Sequence, residues 1–307
     1  MIMQLPDYPN CRELQLGDKP LFASLFRDLQ PRISEFTFAG LYLFRTAHAY
    51  RVTRLGDAVA LLGKGYDGTG YALPPFTGDR LGAGRRLLAE GWELYGADEW
   101  FLNEVARQIE VSSREDRDNF DYLYLREELA ALPGNRFHKK KNRVNYFTSR
   151  HPFTVEVYRE ELRDGCLALL DDWRRVHDSL GNSSLSHEIR ATAEALARAR
   201  ELELEGVVVL VAGEVKGFAL GERLNATTSV CHFQKADPFL DGLYQLVDRE
   251  FSRLLFTECT YLNKEQDLGE PNLRKSKLSY HPAELVRKYR IGLKVTGEQR
   301  QQVNGEG

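Results

Sequence analysis

The sequence contains little cysteine: four residues in a chain of 307, all widely spaced. Cys11, Cys166, Cys231 and Cys259 form no CxxC pair and no Cys–His cluster of the kind that binds zinc. We therefore expect four reduced thiols, three of them buried in apolar segments, and no metal site. Such usage is typical of a reducing cytoplasm.

Long hydrophobic runs are also absent. The longest apolar stretches, such as Gly206 to Gly213, are far shorter than the ~20 residues that a membrane span needs. Residues 1–10 contain no basic region followed by an apolar run, so no signal peptide is predicted. These absences predict a soluble, cytoplasmic protein with no membrane span.

Neither sign of charge dominates, since 42 Lys and Arg residues face 45 Asp and Glu residues. The net charge of -3 excludes attraction of the whole surface to nucleic acid or to an anionic membrane, so any phosphate binding requires a local basic patch. The motifs G-x-S-x-G, H-E-x-x-H and the P-loop are missing as well. No triad, zinc protease or nucleotide-binding loop is therefore indicated.

The overall composition is that of an ordinary globular protein, with 42% hydrophobic and 28% charged residues. A chain of this length usually forms two domains. His151-Pro152 favours the end of a helix, because the residue before proline avoids helical geometry. We therefore predict one domain over residues 1–151, a second over 152–295, and a polar, disordered tail over 296–307.

In the first half, hydrophobic spacing predicts a mixture of strands and helices. The segment Thr37–His48 fits either element, with a slight preference for helix. The other predicted elements are strands at Tyr50–Leu55, Ala58–Gly63 and Phe120–Leu125, helices at Lys19–Leu29, Arg80–Gly91 and Asn135–Ser149, and a loop at Val111–Asn119.

The second half carries the clearest β signal, in three consecutive runs at Gly206–Ala212, Val215–Glu222 and Thr227–Lys235. Strict alternation along the third run places His232 and Gln234 on one face, opposite Cys231, Phe233 and Lys235. The remaining predictions are strands at Thr154–Tyr158 and Glu258–Leu262, and helices at Glu160–Asp178, Ser186–Leu204, Phe239–Phe256 and Pro271–Tyr280.

An internal repeat appears when the chain is aligned with itself at an offset of 137 residues. Tyr124–Lys140 and Tyr261–Lys277 then share five identities in 17 positions, where average composition gives about one. Both segments run from an apolar strand into a basic helix that ends in His-Pro. This pattern indicates a duplicated unit, although two unrelated strand–helix units could also produce it.

The order of elements in the second half resembles the GNAT acyltransferase core. The segments Cys231 to Pro238, Tyr261 to Gly269 and Leu273 to Tyr280 look like the family named for the C-terminal domain of phosphatidylglycerol lysyltransferase. Ser34 to Phe38 and Phe137 to Arg143 resemble the same family, so the likeness extends over residues 30–295. It implies an α/β (α+β) fold of two tandem GNAT-like domains with mixed central sheets flanked by helices.

The resemblance also implies an acyltransferase, most simply one that transfers an aminoacyl group from aminoacyl-tRNA, or an acyl group, directly to an amine or hydroxyl. Lys235–Gly242 has a single glycine, whereas acyl-CoA cradles use several to expose backbone N–H groups. The single glycine therefore argues against a standard CoA cradle. The first alternative is a non-catalytic protein that binds a phosphorylated small molecule or peptide, and the second is a CoA-dependent N-acetyltransferase. No tightly bound cofactor is expected. The acceptor is a small molecule, peptide or lipid headgroup.

Two basic helices supply the predicted contacts to the donor or its phosphates, because crowded like charges favour a counter-ion. A solvated basic helix end is the ordinary alternative. With Lys235, at the end of a strand where ligands bind in open sheets, the predicted donor contacts are Lys139, Lys140, Arg143, Arg274, Lys275 and Lys277.

Acyl transfer needs a proton acceptor and groups that stabilise developing charge. Asp237 and Glu265 are the candidate bases, Asp267 is a further one, and Tyr280 is a candidate proton donor. His232, Asn263 and Asp267 are predicted acceptor contacts. For His232, packing in the core is the more usual role of a strand histidine.

Overall fold

The computed structural model describes residues 5–177 and 183–294. The polar tail predicted over 296–307, and Asp178 at the end of one predicted helix, lie outside these residues. The chain forms two compact units. The first contains the described parts of Met1–Leu14, His48–Arg117 and Arg287–Gly307, and the second contains Gln15–Ala47 and the described parts of Asp118–Val286.

The first unit is built on a mixed seven-stranded sheet with the order β1-β2-β3-β4-β5-β14-β6. Its strands are β1 Arg12–Glu13, β2 Arg51–Leu55, β3 Ala58–Lys64, β4 Gly70–Ala72, β5 Glu93–Ala97, β6 Val111–Glu115 and β14 Tyr289–Leu293. Helices α3 (Arg80–Ala89) and α4 (Glu99–Ala106) pack on it around Leu87, Leu94 and Phe101. The side chain of Asp79 caps the N-terminus of α3, and that of Asp98 caps α4.

The second unit has its own mixed seven-stranded sheet, ordered β13-β7-β12-β11-β10-β9-β8. Its strands are β7 Asp121–Leu125, β8 Phe153–Val157, β9 Glu205–Val211, β10 Glu214–Arg223, β11 Thr228–Ala236, β12 Tyr261–Asn263 and β13 Glu284–Val286. Its helices are α1 Lys19–Leu29, α2 Phe38–Leu43, α5 Arg126–Ala131, α6 His138–Thr148, α7 Arg163–His177, α8 Ser183–Ala197, α9 Ala199–Leu202, α10 Leu243–Leu254 and α11 Pro271–Leu278.

The two faces of the second sheet bury different helices. Helix α10 packs against β9, β10 and β11, and joins α5 and α6 around a core that includes Val207, Ala219 and Phe251. Helix α7 contacts β10 and β11 from the other face and packs on α8. Among the described residues, no helix is both long and apolar enough to cross a membrane.

A β-bulge at His232 changes the side-chain alternation of β11. Gly221 of β10 pairs with Cys231 and Leu220 pairs with Phe233, so His232 is the extra residue. Beyond it, Lys235 faces α7 and α8, while Ala236 joins the α10 core with Cys231. The strict alternation predicted from the sequence, with Lys235 on the face of Cys231, is therefore wrong.

Several other sequence predictions differ from the structure. The compact units are not consecutive halves, because α6 and β8, on either side of the expected boundary at residue 151, both belong to the second unit. The loop expected at Val111–Asn119 is wrong in its first part, which is β6 and pairs with β14 from the end of the chain. Helix α10 begins four residues later than predicted, because Asp237 starts a turn that it closes by accepting a hydrogen bond from the Phe239 N–H.

The pairing of β7 with β12 agrees with the internal repeat. These strands are antiparallel neighbours in which Tyr124 pairs with Leu262 and Leu125 pairs with Tyr261. An offset of 137 residues converts each of these pairs into the other. The two copies of the repeat are thus related by a local two-fold in the sheet, which is the arrangement expected of duplicated segments.

Candidate functional site

The candidate site lies where two parallel strands of the second unit separate. Strand β12 pairs with β11 only through Thr228 to Val230. From Cys231 onward, no described strand pairs with the β12-facing edge of β11, because the chain after Asn263 turns away. Glu265 and Leu268 in that departing segment have φ of 54°. Non-glycine residues with positive φ are strained and are found preferentially at functional sites.

His232 is held between two carboxylates at this split. Its Nδ1 lies 2.7 Å from Oε1 of Glu265, and its Nε2 lies 2.9 Å from Oε1 of Glu222 on β10. Burial on its own would lower the pKa of His232, but the hydrogen bonds with Glu222 and Glu265 raise it to about 10. The ring is thus a buried imidazolium at neutral pH. It positions Glu265 and is unsuited to act as a base.

Asn263 lies in a buried network beside this triad. Its side chain donates to Asp121 Oδ2 at 3.0 Å and accepts from the Glu265 N–H at 2.8 Å. Asp121 also accepts from the backbone N–H and the hydroxyl of Ser34. The predicted acceptor contact at Asn263 is therefore used internally, where it fixes the strained backbone of Glu265.

On the other side of the split, lysines surround the segment that follows β12. The ammonium of Lys264 pairs with Asp248 of α10 and lies 3.3 Å from Oε1 of Gln234. The ammonium of Lys277 donates to three backbone carbonyls, those of residues 264, 265 and 266. Burial lowers the pKa of Lys277 to about 8. Lys277 thus holds the segment in place.

Tyr280 and Lys140 complete this side of the site. The buried Tyr280 hydroxyl makes no hydrogen bond within the described residues, although Asp248 is close enough to affect it. Burial first, and then Asp248, raises the pKa of Tyr280 well above its usual value. The Lys140 ammonium lies 3.8 Å from the Tyr280 ring centroid. Burial lowers the pKa of Lys140 to about 8, so a fraction of this amine is neutral near pH 7.

Asp267 and Arg274 form an internal ion pair. Arg274 donates to both carboxylate oxygens of Asp267, at 2.9 and 2.7 Å, and also to Asp118. Burial opposes ionisation of Asp267, but hydrogen bonds from Arg274 and Tyr122 hold its pKa well below the usual range. A carboxylate so strongly stabilised as the anion is a poor base, and this pair anchors α11 to the segment after β12.

Lys235 and Asp237 lie away from the split, on the face covered by α7. Lys235 is buried against Trp173, 4.1 Å from its ring centroid, and donates to Glu188 of α8 at 2.5 Å. Asp237 lies at the end of β11, 3.9 Å from Lys216, and borders a groove beside α7. The structure therefore separates both residues from Glu265 and Tyr280.

The remaining predicted donor contacts lie on the surface. Lys139 on α6 and Lys275 on α11 are exposed and form no ion pair with any residue that the structure describes. Arg143 is paired with Asp241 at 3.1 Å. A Cβ at Gly242, which has a φ of 93°, would lie 2.0 Å from the carbonyl oxygen of Arg143. Helix α6 thus contacts the start of α10. A phosphate-binding loop at this position would instead need its backbone N–H groups accessible to the ligand.

Sequence reasoning missed four side chains that build this site: Glu222, Gln234, Asp248 and Lys264. Lys264 lies between two predicted site residues, Asn263 and Glu265, and this position could have identified it as a site residue. Asp248 occupies a core-facing position of the amphipathic helix α10, where a buried charge requires a partner. Among the described residues, no group of three or more histidines, cysteines or carboxylates is arranged to hold a metal ion.

Comparison with known proteins gives a family match over most of the chain. The sequence model described as "Phosphatidylglycerol lysyltransferase, C-terminal" matches residues 26–292. An uncharacterised protein from Mycoplasmoides gallisepticum is 23% identical over 178 residues, which are 56% of this chain and 55% of that protein. The match thus spans about half the length of this curated relative.

Solved structures share the fold. A conserved protein of unknown function from Bacteroides thetaiotaomicron aligns with a TM-score of 0.86 and 26% identity, over 95% of this chain and 100% of that one. L-PGS from Bacillus licheniformis aligns with a TM-score of 0.62 and 11% identity, over 98% of both chains. FemX aligns with a TM-score of 0.57 and 10% identity, over 96% of this chain and 99% of its own. The expected fold class is confirmed as a mixed α/β fold, with two mixed seven-stranded sheets flanked by helices.

Proposed function

Because the chain belongs to the family of phosphatidylglycerol lysyltransferase C-terminal domains, we propose that it transfers an aminoacyl group directly from aminoacyl-tRNA to an amine or hydroxyl acceptor. The observation that carries the proposal is the split between β11 and β12. Within the family fold, it brings together two lysines, a strained glutamate and a buried phenol that has no hydrogen-bond partner among the described residues. These are the groups that an acyl transfer requires.

Each residue at the split has a separate role in the proposed transfer. Lys140, with its lowered pKa, accepts the proton of the attacking amine or hydroxyl. Tyr280, whose hydroxyl lies near Asp248 and makes no hydrogen bond that meets the distance and angle limits among the described residues, donates a proton to the leaving ribose oxygen. Lys264 stabilises the negative charge that develops on the carbonyl oxygen. Glu265, oriented by His232 and Asn263, contacts the acceptor.

The start of α10 supports a tRNA donor over acyl-CoA. A pyrophosphate at a helix N-terminus needs exposed backbone N–H groups. Here Gly242 faces a carbonyl oxygen of α6, an acceptor that repels phosphate oxygens. The exposed Lys139 and Lys275 instead offer unpaired charges to an RNA backbone on the surface of the same unit.

The test is transfer of labelled amino acids by the purified full-length protein. A mixed pool of charged tRNAs is incubated with three acceptor sets: phosphatidylglycerol vesicles, simple amines and short peptides. We expect labelled product from one set, and a loss of about 100-fold or more in rate for Tyr280→Phe and Lys140→Met. Arg107→Gln, a change of an exposed residue in the first unit, is expected to retain the wild-type rate.

Two outcomes would contradict the proposal. Transfer from acetyl-CoA without tRNA would establish the N-acetyltransferase alternative. Tight binding of charged tRNA or of a phosphorylated ligand, with no transfer to any acceptor, would favour the non-catalytic binding protein.

A further inference from the structure

A groove on the second unit, separate from the split, has the size and lining of a small-molecule site. It has a volume of about 650 Å³ and runs between α7, the β9–β10 hairpin and the turn that follows β11. Sites for small ligands commonly enclose roughly 300–1,000 Å³. None of the predicted site residues except Asp237 borders it.

The walls of the groove are apolar and aromatic. Leu169 and Trp173 of α7 line one side, and Phe239, which is 80% exposed, stands at the mouth. Lys235 and His177 cover the two faces of the Trp173 ring, so only its edge is open to a ligand. A ring edge carries positive charge and suits an aliphatic chain, whereas the open face of Phe239 suits a cation.

The charged groups around the groove are mainly acidic. Four carboxylates line it, from Glu161, Asp172, Glu214 and Asp237, against two cations, from Lys216 and Arg175.

Ion pairs offset this excess only in part, although Glu161 also has a cation nearby, Arg159 at 3.6 Å. Lys216 is shared between Glu214 at 3.1 Å and Asp237 at 3.9 Å. Arg175 is engaged by two carboxylates of its own helix, those of Asp171 and Asp172. Lys216 and its two carboxylates therefore keep one net negative charge at the Asp237 end of the groove, and an incoming ammonium would meet it there.

We infer that this groove binds an aliphatic primary amine, with its ammonium at Asp237 and Phe239 and its carbon chain along Leu169 and the edge of Trp173. The carboxylate and the ring are fixed together, because Asp237 Oδ1 accepts the Phe239 N–H at 3.0 Å. This inference goes beyond the proposed transferase function and does not depend on it, because the groove contains neither Glu265 nor Tyr280.

A hydrogen-bonded chain connects the groove to the split. Trp173 Nε1 donates to the Tyr244 hydroxyl at 2.5 Å, and Gln234 donates to the Tyr244 carbonyl at 2.9 Å. The other end of the Gln234 amide accepts from Lys264. Occupation of the groove can thus be sensed by the residues proposed to act on the acyl group.

The experiment measures binding of n-hexylamine to the full-length protein by calorimetry and by the NMR signal of the Trp173 indole N–H. Binding is compared with hexan-1-ol and hexanoate at pH 7, where only the amine is cationic. We expect hexylamine to bind and to shift the indole signal. Asp237→Asn, which keeps an oxygen for the Phe239 N–H, should weaken binding about tenfold, and Phe239→Ser should weaken it similarly.

The matched control is Glu258→Gln, an exposed carboxylate that pairs with Arg223 and precedes β12, at the opposite end of the parallel strands. Its affinity for hexylamine should equal that of the wild type. Equal binding of hexanol and hexylamine, or unchanged affinity in folded Asp237→Asn and Phe239→Ser variants, would overturn the inference. The hexylamine binding assay contains no tRNA and is therefore independent of the transfer assay. If hexylamine binds but no aminoacyl transfer is found in the transfer assay, only the proposed function is rejected. If transfer is found but hexylamine does not bind, only this amine site is rejected.

Discussion

At the residue scale, the buried triad of Glu222, His232 and Glu265 shows how a strand histidine can serve a site without reacting. The imidazolium pairs with two carboxylates, and its single positive charge offsets half of their negative charge, in a part of the sheet from which water is largely excluded. Glu265 thereby keeps its strained backbone and one fixed oxygen. The same arrangement sets the direction of the other carboxylate oxygen of Glu265, and this oxygen is the one proposed to contact the acceptor.

Replacement of His232 by Gln should strongly destabilise the second unit. The change leaves two partly buried carboxylates close together with no cation between them, and breaking a buried pair in this way costs about 3–5 kcal/mol. The measurement is the free energy of unfolding in urea at pH 6. His138→Gln, at an exposed position of α6, is the control and should change it little. A loss below about 1 kcal/mol would contradict the buried-triad interpretation.

The same triad predicts a pH dependence of stability. The pKa of His232 is raised to about 10 in the folded state from an ordinary value of 6.5. Its contribution is therefore complete below pH 6.5 and is lost as the pH rises toward 10. The difference in unfolding free energy between wild type and His232→Gln should shrink over that window. A difference that grows with pH would show that the ring is neutral in the folded protein.

Lys140 and Lys277 have similarly lowered pKa values of about 8 but different surroundings. If Lys140 accepts the proton, the transfer rate should rise with pH around a midpoint near 8. Lys140→Met should remove that step while leaving the fold intact. Lys277→Met should instead lower the unfolding free energy, because three carbonyls lose their donor. A pH midpoint that survives Lys140→Met would assign the proton transfer elsewhere.

At the scale of elements, two irregularities determine where the side chains of the candidate site lie: the bulge in β11 and the turn before α10. The sequence predicted β11 and α10 themselves from β-branched runs and helical periodicity. It could not predict the bulge, because the extra residue is defined by pairing with β10 and leaves no local signature. Pro238 is compatible with a helix start, so the turn closed by Asp237 was mistaken for the first turn of α10.

Strands with distant partners were also hard to predict. Strand β14 inserts between β5 and β6, although it lies about 180 residues further along the chain than β6. The exposed, charged Val111–Glu115 segment is a strand only because that partner is available. For the candidate site, local motifs predicted Glu265 and Tyr280, and both lie at the split. They could not show that Asp267 and Arg274 satisfy each other, since that depends on three-dimensional packing.

The contact between α6 and α10 can be tested at Gly242. Ala at this position would force a side chain into left-handed backbone and place Cβ against the Arg143 carbonyl. Gly91→Ala is the matched control, because Gly91 has a φ of 88° and open space around its Cα. The strained backbone should cost about 1–2 kcal/mol in both variants. Gly242→Ala should lose clearly more in urea unfolding, and equal losses would show that the helices separate easily.

At the scale of the whole molecule, charge is nearly balanced, so the RNA binding that we propose requires a local basic surface. The net charge of -3 gives no general attraction to phosphates. Lys139, Lys141 and Lys275 are exposed on the two basic helices, and none has an ion-pair partner in the described chain. Most arginines of the second unit are, by contrast, paired with carboxylates. The two basic helices thus present a small group of cations that form no ion pair within the described residues of the second unit.

These three lysines should set the salt dependence of tRNA binding. Each phosphate contact contributes about 0.7–0.9 to the slope of log K against log salt. The triple change of Lys139, Lys141 and Lys275 to Gln should therefore reduce that slope by about 2, measured by filter binding of charged tRNA between low and physiological salt. The control carries the same change in charge on the first unit, through Lys64→Gln, Arg107→Gln and Arg114→Gln. Because these residues lie outside the proposed surface, the control should keep the wild-type slope. Equal slopes for both triple variants would mean that only overall charge matters and that the two helices do not form the RNA-binding surface.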